Sequence, residues 1–450
     1  MNVSHSTTPL VAATLATGML LSVTSPAVAD CTATWENALG MPGPGSCVYG
    51  MEVFDDGSGP AIYAAGIFSA LDRVAKWDGE NWQPLGDGVG PDANALLVFD
   101  DGTGPALYIT GSFTTAGGRP ANRIARWDGL NWSTLGDGLD GQGLGLSVFD
   151  DGSGPALYVT GIFSTAGGVT VNNVARWDGA DWSALGTGVD GAATNSTVYD
   201  DGNGEALYVV GVFTTAGGVS SPGVARWDGS TWSSVGGGAP GTILGVSAID
   251  VEDGNGPSLY IGGIFNSVGD GVSANNIARW DGESWSAVGD GTNGLVRSIV
   301  AFDDGTGSGK RIYAGGNFSV AGDAAANNVA RWNGSVWSRL GNGLEGTSNQ
   351  AWKLLPIGLD IDDAPGLYVG GCFSFAGGLN AHNIAVWRGC APDDGNPADL
   401  NGDGVVNVMD LLILLDGWGP CPAGESCPAD INGDGTVDVF DLLLLLANWG

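Results

Sequence analysis

From Phe149 to Gly188 the apolar residues come in short bursts separated by glycine-rich polar turns. Four runs alternate or are β-rich: about Gly145 to Phe149, Ala156 to Phe163, Asn173 to Trp177 and Trp182 to Leu185. Between the first two lies DDGSGP and between the last two DGAD, both dense in hairpin-turn residues. The pattern predicts a four-stranded antiparallel meander.

This text recurs along the chain. Its tyrosine returns as Tyr63, Tyr108, Tyr158, Tyr208, Tyr260, Tyr313 and Tyr368, at spacings of 45, 50, 50, 52, 53 and 55 residues. A period of about 50 is that of a propeller blade. Six units carry paired tryptophans: Trp77/Trp82, Trp127/Trp132, Trp177/Trp182, Trp227/Trp232, Trp280/Trp285 and Trp332/Trp337. The seventh has only Trp387, while CTATWENALG near the start reads as the missing last quarter of a repeat, with Trp35 in place of Trp132. The expected fold is therefore all-β, a seven-bladed β-propeller over residues 30–390 closed by the N-terminal strand; a superhelical array is the alternative. In its G-x-F, N-N-x-A-x-W-x-G and W-x-x-L-G motifs the unit resembles kelch-type blades and, more closely, the extracellular repeats of the Rax2-like family, over roughly residues 31–390. Propellers host unrelated activities, so the resemblance implies a fold and leaves function open.

Composition narrows the classes. With 43% hydrophobic residues and 17 tryptophans the chain is not disordered, and its 80 glycines serve tight corners. A net charge of −34 repels phosphate backbones, which excludes nucleic acid as a partner. Residues 10–23 are apolar or small and Ala27-Val28-Ala29 supplies a small-x-small site, so residues 1–29 read as a secretory signal peptide despite lacking an early Lys or Arg. No later stretch is long enough for a membrane span. The expected location is secreted or cell-surface, extracellular or periplasmic, where the six cysteines can form disulfides.

Overlaying the chain ends on an intact blade puts Cys31 and Cys390 in one hairpin turn, which pairs them and leaves Cys47 for Cys372. Four cysteines allow three connectivities, and Cys31 with Cys47 is a competing pair. Cys421 and Cys427 form a local bridge.

Strand parity places the Asp-Asp-Gly and Trp-Asp-Gly turns on one face, uniform and acidic. The other face carries the segments that differ among repeats, including Gly138 to Gly145, Gly188 to Asn195 and Gly343 to Gln350. There the first blade has lost five residues between Phe68 and Trp77, which predicts a notch rimmed by Asp72 and Arg73 as a ligand site. The recurring aromatics read either as inter-sheet core or as a sugar-stacking surface, and the Asp-Asp-Gly carboxylates either as turn acceptors or as metal ligands; in each case the structural role is preferred.

After a linker over residues 391–398, the segment 399–450 holds two copies, 31 residues apart, of a calcium loop. The first offers Asp399, Asn401, Asp403, the Val405 carbonyl, Asn407 and Asp410; the second offers Asp430, Asn432, Asp434, the Thr436 carbonyl, Asp438 and Asp441. Hard oxygen ligands at loop positions 1, 3, 5, 7, 9 and 12 suit calcium, so two calcium (Ca2+) sites are expected. The pair resembles a type I dockerin, a small α-helical module with Asp at position 12, which implies docking onto a cohesin-like or cell-surface protein. Positions 10 and 11, Val408-Met409 and Val439-Phe440, and the helices LLILL and LLLLL depart from the usual polar pattern, so the kind of partner stays open.

The reading is an exported, non-catalytic propeller that binds a protein or glycan and is attached by the dockerin-like module. The alternative is a carbohydrate-active enzyme, a glycoside hydrolase or lyase of polysaccharide catabolism, resting on carboxylates peculiar to one blade: Asp72, Asp270, Asp323 and Glu345. His382, the one histidine after the signal, stands where other blades have Asn, which disfavours a Ser-His-Asp triad.

Overall fold

The computed structural model describes residues 33–36, 47–68, 71–346, 348–358, 365–390, 396–400, 406–421 and 427–449. Among the described residues, seven four-stranded antiparallel sheets follow one another along the chain, which is a propeller-like arrangement. Sheet three is representative: Gln142–Asp150, Pro155–Ile162, Val174–Trp177 and Trp182–Ala184, in sequence order. Its strands begin and end within three residues of the expected ones. The second connection adds what the periodicity did not suggest, a small hairpin of Thr165–Ala166 with Val169–Thr170 built on the TAGG turn. A Cβ on Gly167 (φ +55°) would lie 2.5 Å from Trp182 Cδ1, so only glycine fits that turn.

Sheet seven is discontinuous in sequence. Gln350–Ile357, Gly366–Cys372 and Ile384–Arg388 supply three strands, and Thr34–Glu36 pairs antiparallel with the last, Trp35 opposite Trp387. Trp35 then repeats a bond made by Trp132, Trp182, Trp232, Trp285 and Trp337, in which the second indole of a pair donates across to the preceding sheet. Trp132 Nε1 reaches the Leu85 carbonyl, Trp182 that of Leu135, Trp337 that of Val288, and Trp35 that of Leu340 at 2.8 Å.

The apolar cores lie between consecutive sheets. Phe99 and Tyr108 of sheet two meet Leu157, Val159, Trp177 and Trp182 of sheet three in one buried cluster. An equivalent cluster joins Val48, Met51 and Ile62 of sheet one to Ile357, Tyr368 and Val386 of sheet seven. The recurring aromatics are thus spent on packing, Tyr63 and Tyr158 being fully buried.

The Asp-Asp-Gly turns follow from their sequence. The first carboxylate accepts from two backbone N–H groups of its own turn, as Asp150 does from Gly152 and Gly154. The second is fastened from inside the sheet: Asp151 accepts from the Tyr158 hydroxyl at 3.1 Å and faces Arg176 Nε at 3.1 Å. A Cβ on Gly179, in a Trp-Asp-Gly turn, would come 3.1 Å from the Asp101 carbonyl, so the two turn types of neighbouring sheets adjoin.

The terminal segment has two helices, α1 (Val408–Asp416) and α2 (Val439–Ala447), around a small core of Val406, Leu414, Val437 and Leu445. Disulfides join Cys47 to Cys372 and Cys421 to Cys427. Cys390 is also disulfide-bonded; Cys31 and the signal segment 1–29 lie outside the described residues.

Candidate functional site

In the second calcium loop every side chain expected to ligate is described. Asp438 and Asp441, loop positions 9 and 12, are the N-cap and N3 residues of α2 and form a capping box with its backbone. Asp441 is fully buried and accepts from Asn432 N at 3.0 Å and Asp438 N at 2.8 Å. Asp430 accepts from Asp434 N and Gly435 N, Asn432 Oδ1 from Asp434 N, and Gly435 takes φ +90° for the sharp turn at position 6. In the first loop Asn407 and Asp410 cap α1 in the same way, and Asp410, fully buried, accepts from Leu400 N and Asn407 N. Asn401, Asp403 and Val405 lie outside the described residues.

The donor set is all oxygen, from carboxylate, amide and carbonyl, which fits calcium and suits no soft metal. Among the described residues no three His, Cys, Asp or Glu groups converge on one point, and the Asp430 carboxylate accepts from backbone N–H groups of its own loop. Calcium would be held by Asp430, Asn432, Asp434, the Thr436 carbonyl and Asp441, with Asp438 at position 9. It would neutralise carboxylates that otherwise crowd one another.

The two helices leave a duplicated apolar face in solvent. Val408, Met409 and Leu412 of α1 and Val439, Phe440 and Leu443 of α2 are each at least half exposed, Phe440 reaching 61%.

On the variable face, Asp72 and Arg73 stand in the left-handed region (φ +49° and +69°) where other sheets have Asn172–Asn173 and Asn327–Asn328. The work is also the same: Arg73 Nε donates to the Pro91 carbonyl at 2.7 Å, as Asn173 Nδ2 donates to the Val189 carbonyl. The pair straps sheet one to its neighbour, so any ligand in the notch meets side chains already engaged. His382 (φ +43°) fills the same position in sheet seven. Asp270 and Asp323 are exposed at hairpin tips of sheets five and six, and Glu345 lies on the strand entering sheet seven, so these carboxylates belong to separate connections. Between neighbouring sheets Asp190 accepts from Thr214 and Thr215; burial would raise its pKa, but these bonds bring it to about 2. Pro240 replaces that aspartate before sheet five, and a hollow of about 650 Å³ opens beside it, lined by Ile264, Asn275 and Asp290.

One arrangement escaped the sequence. The first strand of every sheet carries a β-bulge at the same place, and the bulged residues are Tyr49, Asn94, Leu144, Thr194, Leu244, Arg297 and Trp352. All seven line one cavity of about 270 Å³. The signal was faint: each stands five residues before the apolar residue that opens the turn (Phe54, Phe99, Phe149, Tyr199, Ile249, Phe302, Ile357), but residue types differ at the flanking positions as well as at the bulge. Inside, the Arg297 guanidinium lies 3.7 Å over the Trp352 ring, and Tyr49 packs against that ring with centroids 4.3 Å apart. Burial lowers the Arg297 pKa to about 10, and burial followed by the Asp92 charge raises that of Tyr49.

Residues 397–448 match the family model of the dockerin type I domain. No curated protein matches the chain. Among solved structures the chain is similar to the extracellular domain of the BT4673 one-component system of B. thetaiotaomicron, with TM-score 0.49 and 11% identity over 80% of this chain. The chain spans 40% of that protein's length. It is also similar to the RRP9 WD40 repeats (TM-score 0.42, 14% identity, 77% of this chain and 95% of that one). A third is YCF48 from Cyanidioschyzon merolae (TM-score 0.41, 13% identity, 79% and 99%). Likenesses this shallow carry no argument about activity. Fold and site together define a propeller-like all-β protein bearing a dockerin type I domain at 397–448. Type I dockerins bind calcium and imply cohesin partners. That domain and the disulfides point to an extracellular or cell-surface location. No described helix is long and apolar enough to cross a membrane.

Proposed function

We propose that the protein is an exported, non-catalytic binding scaffold: a closed seven-bladed propeller displaying its variable face, tethered by the dockerin domain to a cohesin on a cell surface or in an extracellular complex. The domain limits proposed are 1–29 for the signal peptide, 30–390 for the propeller, 391–398 for the linker and 399–450 for the calcium-binding module. The observation that carries the tether is the duplicated apolar face, Val408, Met409 and Leu412 with Val439, Phe440 and Leu443. Solvent-exposed side chains of that size on two short helices cost solubility unless a partner covers them. Ring closure is supported by the core between sheets one and seven, by the Trp35 bond to Leu340 and by Cys47–Cys372. We extend the clasp to Cys31 as partner of Cys390.

Calcium enters by completing the loops. With both ions held, helices α1 and α2 are fixed against each other and their apolar faces are presented together. A partner that buries these faces is recognised by shape and hydrophobicity, since positions 10 and 11 are Val-Met and Val-Phe. The test is capture of the full chain on an immobilised type I cohesin, with calcium and with EDTA. Capture lost in EDTA, and lost in the L412D/L443D variant with calcium present, supports the reading. Calcium-independent capture, or no capture by any of a panel of cohesins, contradicts it.

A further inference from the structure

We propose that the cavity enclosed by the first strands of the seven sheets binds a small carboxylate carrying a ring, with the Arg297 guanidinium on the carboxylate and Trp352 and Tyr49 against the ring. The inference rests on the propeller reading above and assigns its ligand.

Three observations lead there. The first is asymmetry. The indole that bonds the preceding sheet keeps its residue type, as Trp132, Trp182, Trp232 and Trp285 show. The bulge position instead runs Tyr, Asn, Leu, Thr, Leu, Arg, Trp. A β-bulge re-aims one side chain out of the ladder, and seven at one level turn seven unlike side chains into one space. Because each bulge lies near the start of its strand, this level belongs to the variable end of the molecule.

The second is charge. In a chain of net charge −34, the cavity lining contains Arg297 and Lys353 and no Asp or Glu. Lys353 acts on Glu52 of sheet one, whose carboxyl is raised by burial against the opposing pull of that lysine's charge. Arg297 has no carboxylate within ion-pair distance and no hydrogen-bond acceptor among the described residues, and its Nε is buried without a partner. A half-buried guanidinium without a counter-charge is costly, and a bidentate carboxylate is the group its planar fork matches.

The third is shape. Arg297, Trp352 and Tyr49 come from sheets six, seven and one, and stack into a continuous wall whose aromatic members offer π-surface. Leu144 and Leu244 supply apolar walls, and Asn94 and Thr194 spend their donors on the Gly143 and Ile243 carbonyls. A volume of about 270 Å³ admits a single substituted ring and excludes a polymer chain.

Acidic monosaccharides and aromatic acids share this chemistry. Calorimetric titration of the calcium-loaded full chain with D-glucuronate, benzoate and D-glucose separates them. We expect at least one carboxylate to bind, glucuronate assigning an acidic sugar and benzoate an aromatic acid, with glucose weaker by about tenfold or more. Arg297→Gln should weaken the bound carboxylate about 10- to 100-fold, and R297K should lose less. If R297Q does not fold, W352F together with the glucuronate–glucose ratio on the unaltered chain decides. Neither carboxylate binding at millimolar concentration, glucose matching glucuronate where glucuronate is the one bound, or R297Q binding unchanged would each overturn the proposal. Cohesin capture is read on the dockerin domain, so failure of the tether and failure of the cavity are separate results.

Discussion

Asp151 shows what one carboxylate does for a sheet. Burial alone would raise its pKa, yet the Ser153 hydroxyl and N–H, the Arg176 charge and the Tyr158 hydroxyl hold it below the ordinary carboxylate range, and Asp101, Asp201 and Asp304 are shifted the same way. A pKa lowered on folding contributes stability that is complete above the unfolded value of about 4 and is lost as pH falls through the folded value. Urea unfolding should therefore find Asp151→Asn weaker than the unaltered chain at pH 7, with the gap closing towards pH 2. A gap independent of pH would mean the carboxylate is not the source. A second residue-scale prediction concerns Trp182, whose indole N–H meets the Leu135 carbonyl at 2.9 Å. Trp182→Phe should cost about 0.5–1.5 kcal/mol for the lost bond, since the Leu135 carbonyl still accepts from Gly138 N; equal urea midpoints would remove this bond from the account. These roles were only half legible in the text. The turn chemistry of Asp-Asp-Gly is local, but the tyrosine and arginine that fasten its second aspartate lie 7 and 25 residues further on, as with Asp151, Tyr158 and Arg176.

At the scale of elements, the strands were readable because alternation and turn residues are short-range signals. The Thr165–Thr170 hairpin was not, since two-residue strands carry no period. Its turn can still be tested: Gly167→Ala places a methyl group against Trp182 in a left-handed backbone, so the melting temperature should fall, while Gly168→Ala at the neighbouring open position should fall less. Equal losses would show that backbone strain alone matters. The bulges escaped for a related reason. A bulge shifts register by one residue, which in a glycine-containing stretch such as Gly143-Leu144-Gly145 leaves the apolar pattern unchanged. The starts of the two helices were the opposite case, because the expected ligand positions 9 and 12 coincide with the N-cap and N3 positions, and Asn407/Asp410 and Asp438/Asp441 cap the helices there.

At the scale of the molecule, the repeat count and the misplaced N-terminal fragment foretold the pairing of Thr34–Glu36 with Ile384–Arg388. Text could not foretell which seven side chains would meet in one cavity, because they are some 50 residues apart and meet only when the sheets are arranged around it. The bond between Cys47 and Cys372 spans 325 residues and ties the first sheet to the last. Replacing both by Ser should lower stability by about 2–5 kcal/mol, measured by denaturant unfolding without reductant; an unchanged midpoint would make the apolar core between those sheets sufficient alone. The central claim is that a self-sufficient ring is carried by a separate module that needs calcium to hold its fold. Differential scanning calorimetry of the full chain, first with calcium and then with EDTA, tests it most directly. The account predicts a large transition that EDTA leaves in place and a small one that EDTA abolishes; a single transition that moves as a whole with calcium would contradict it.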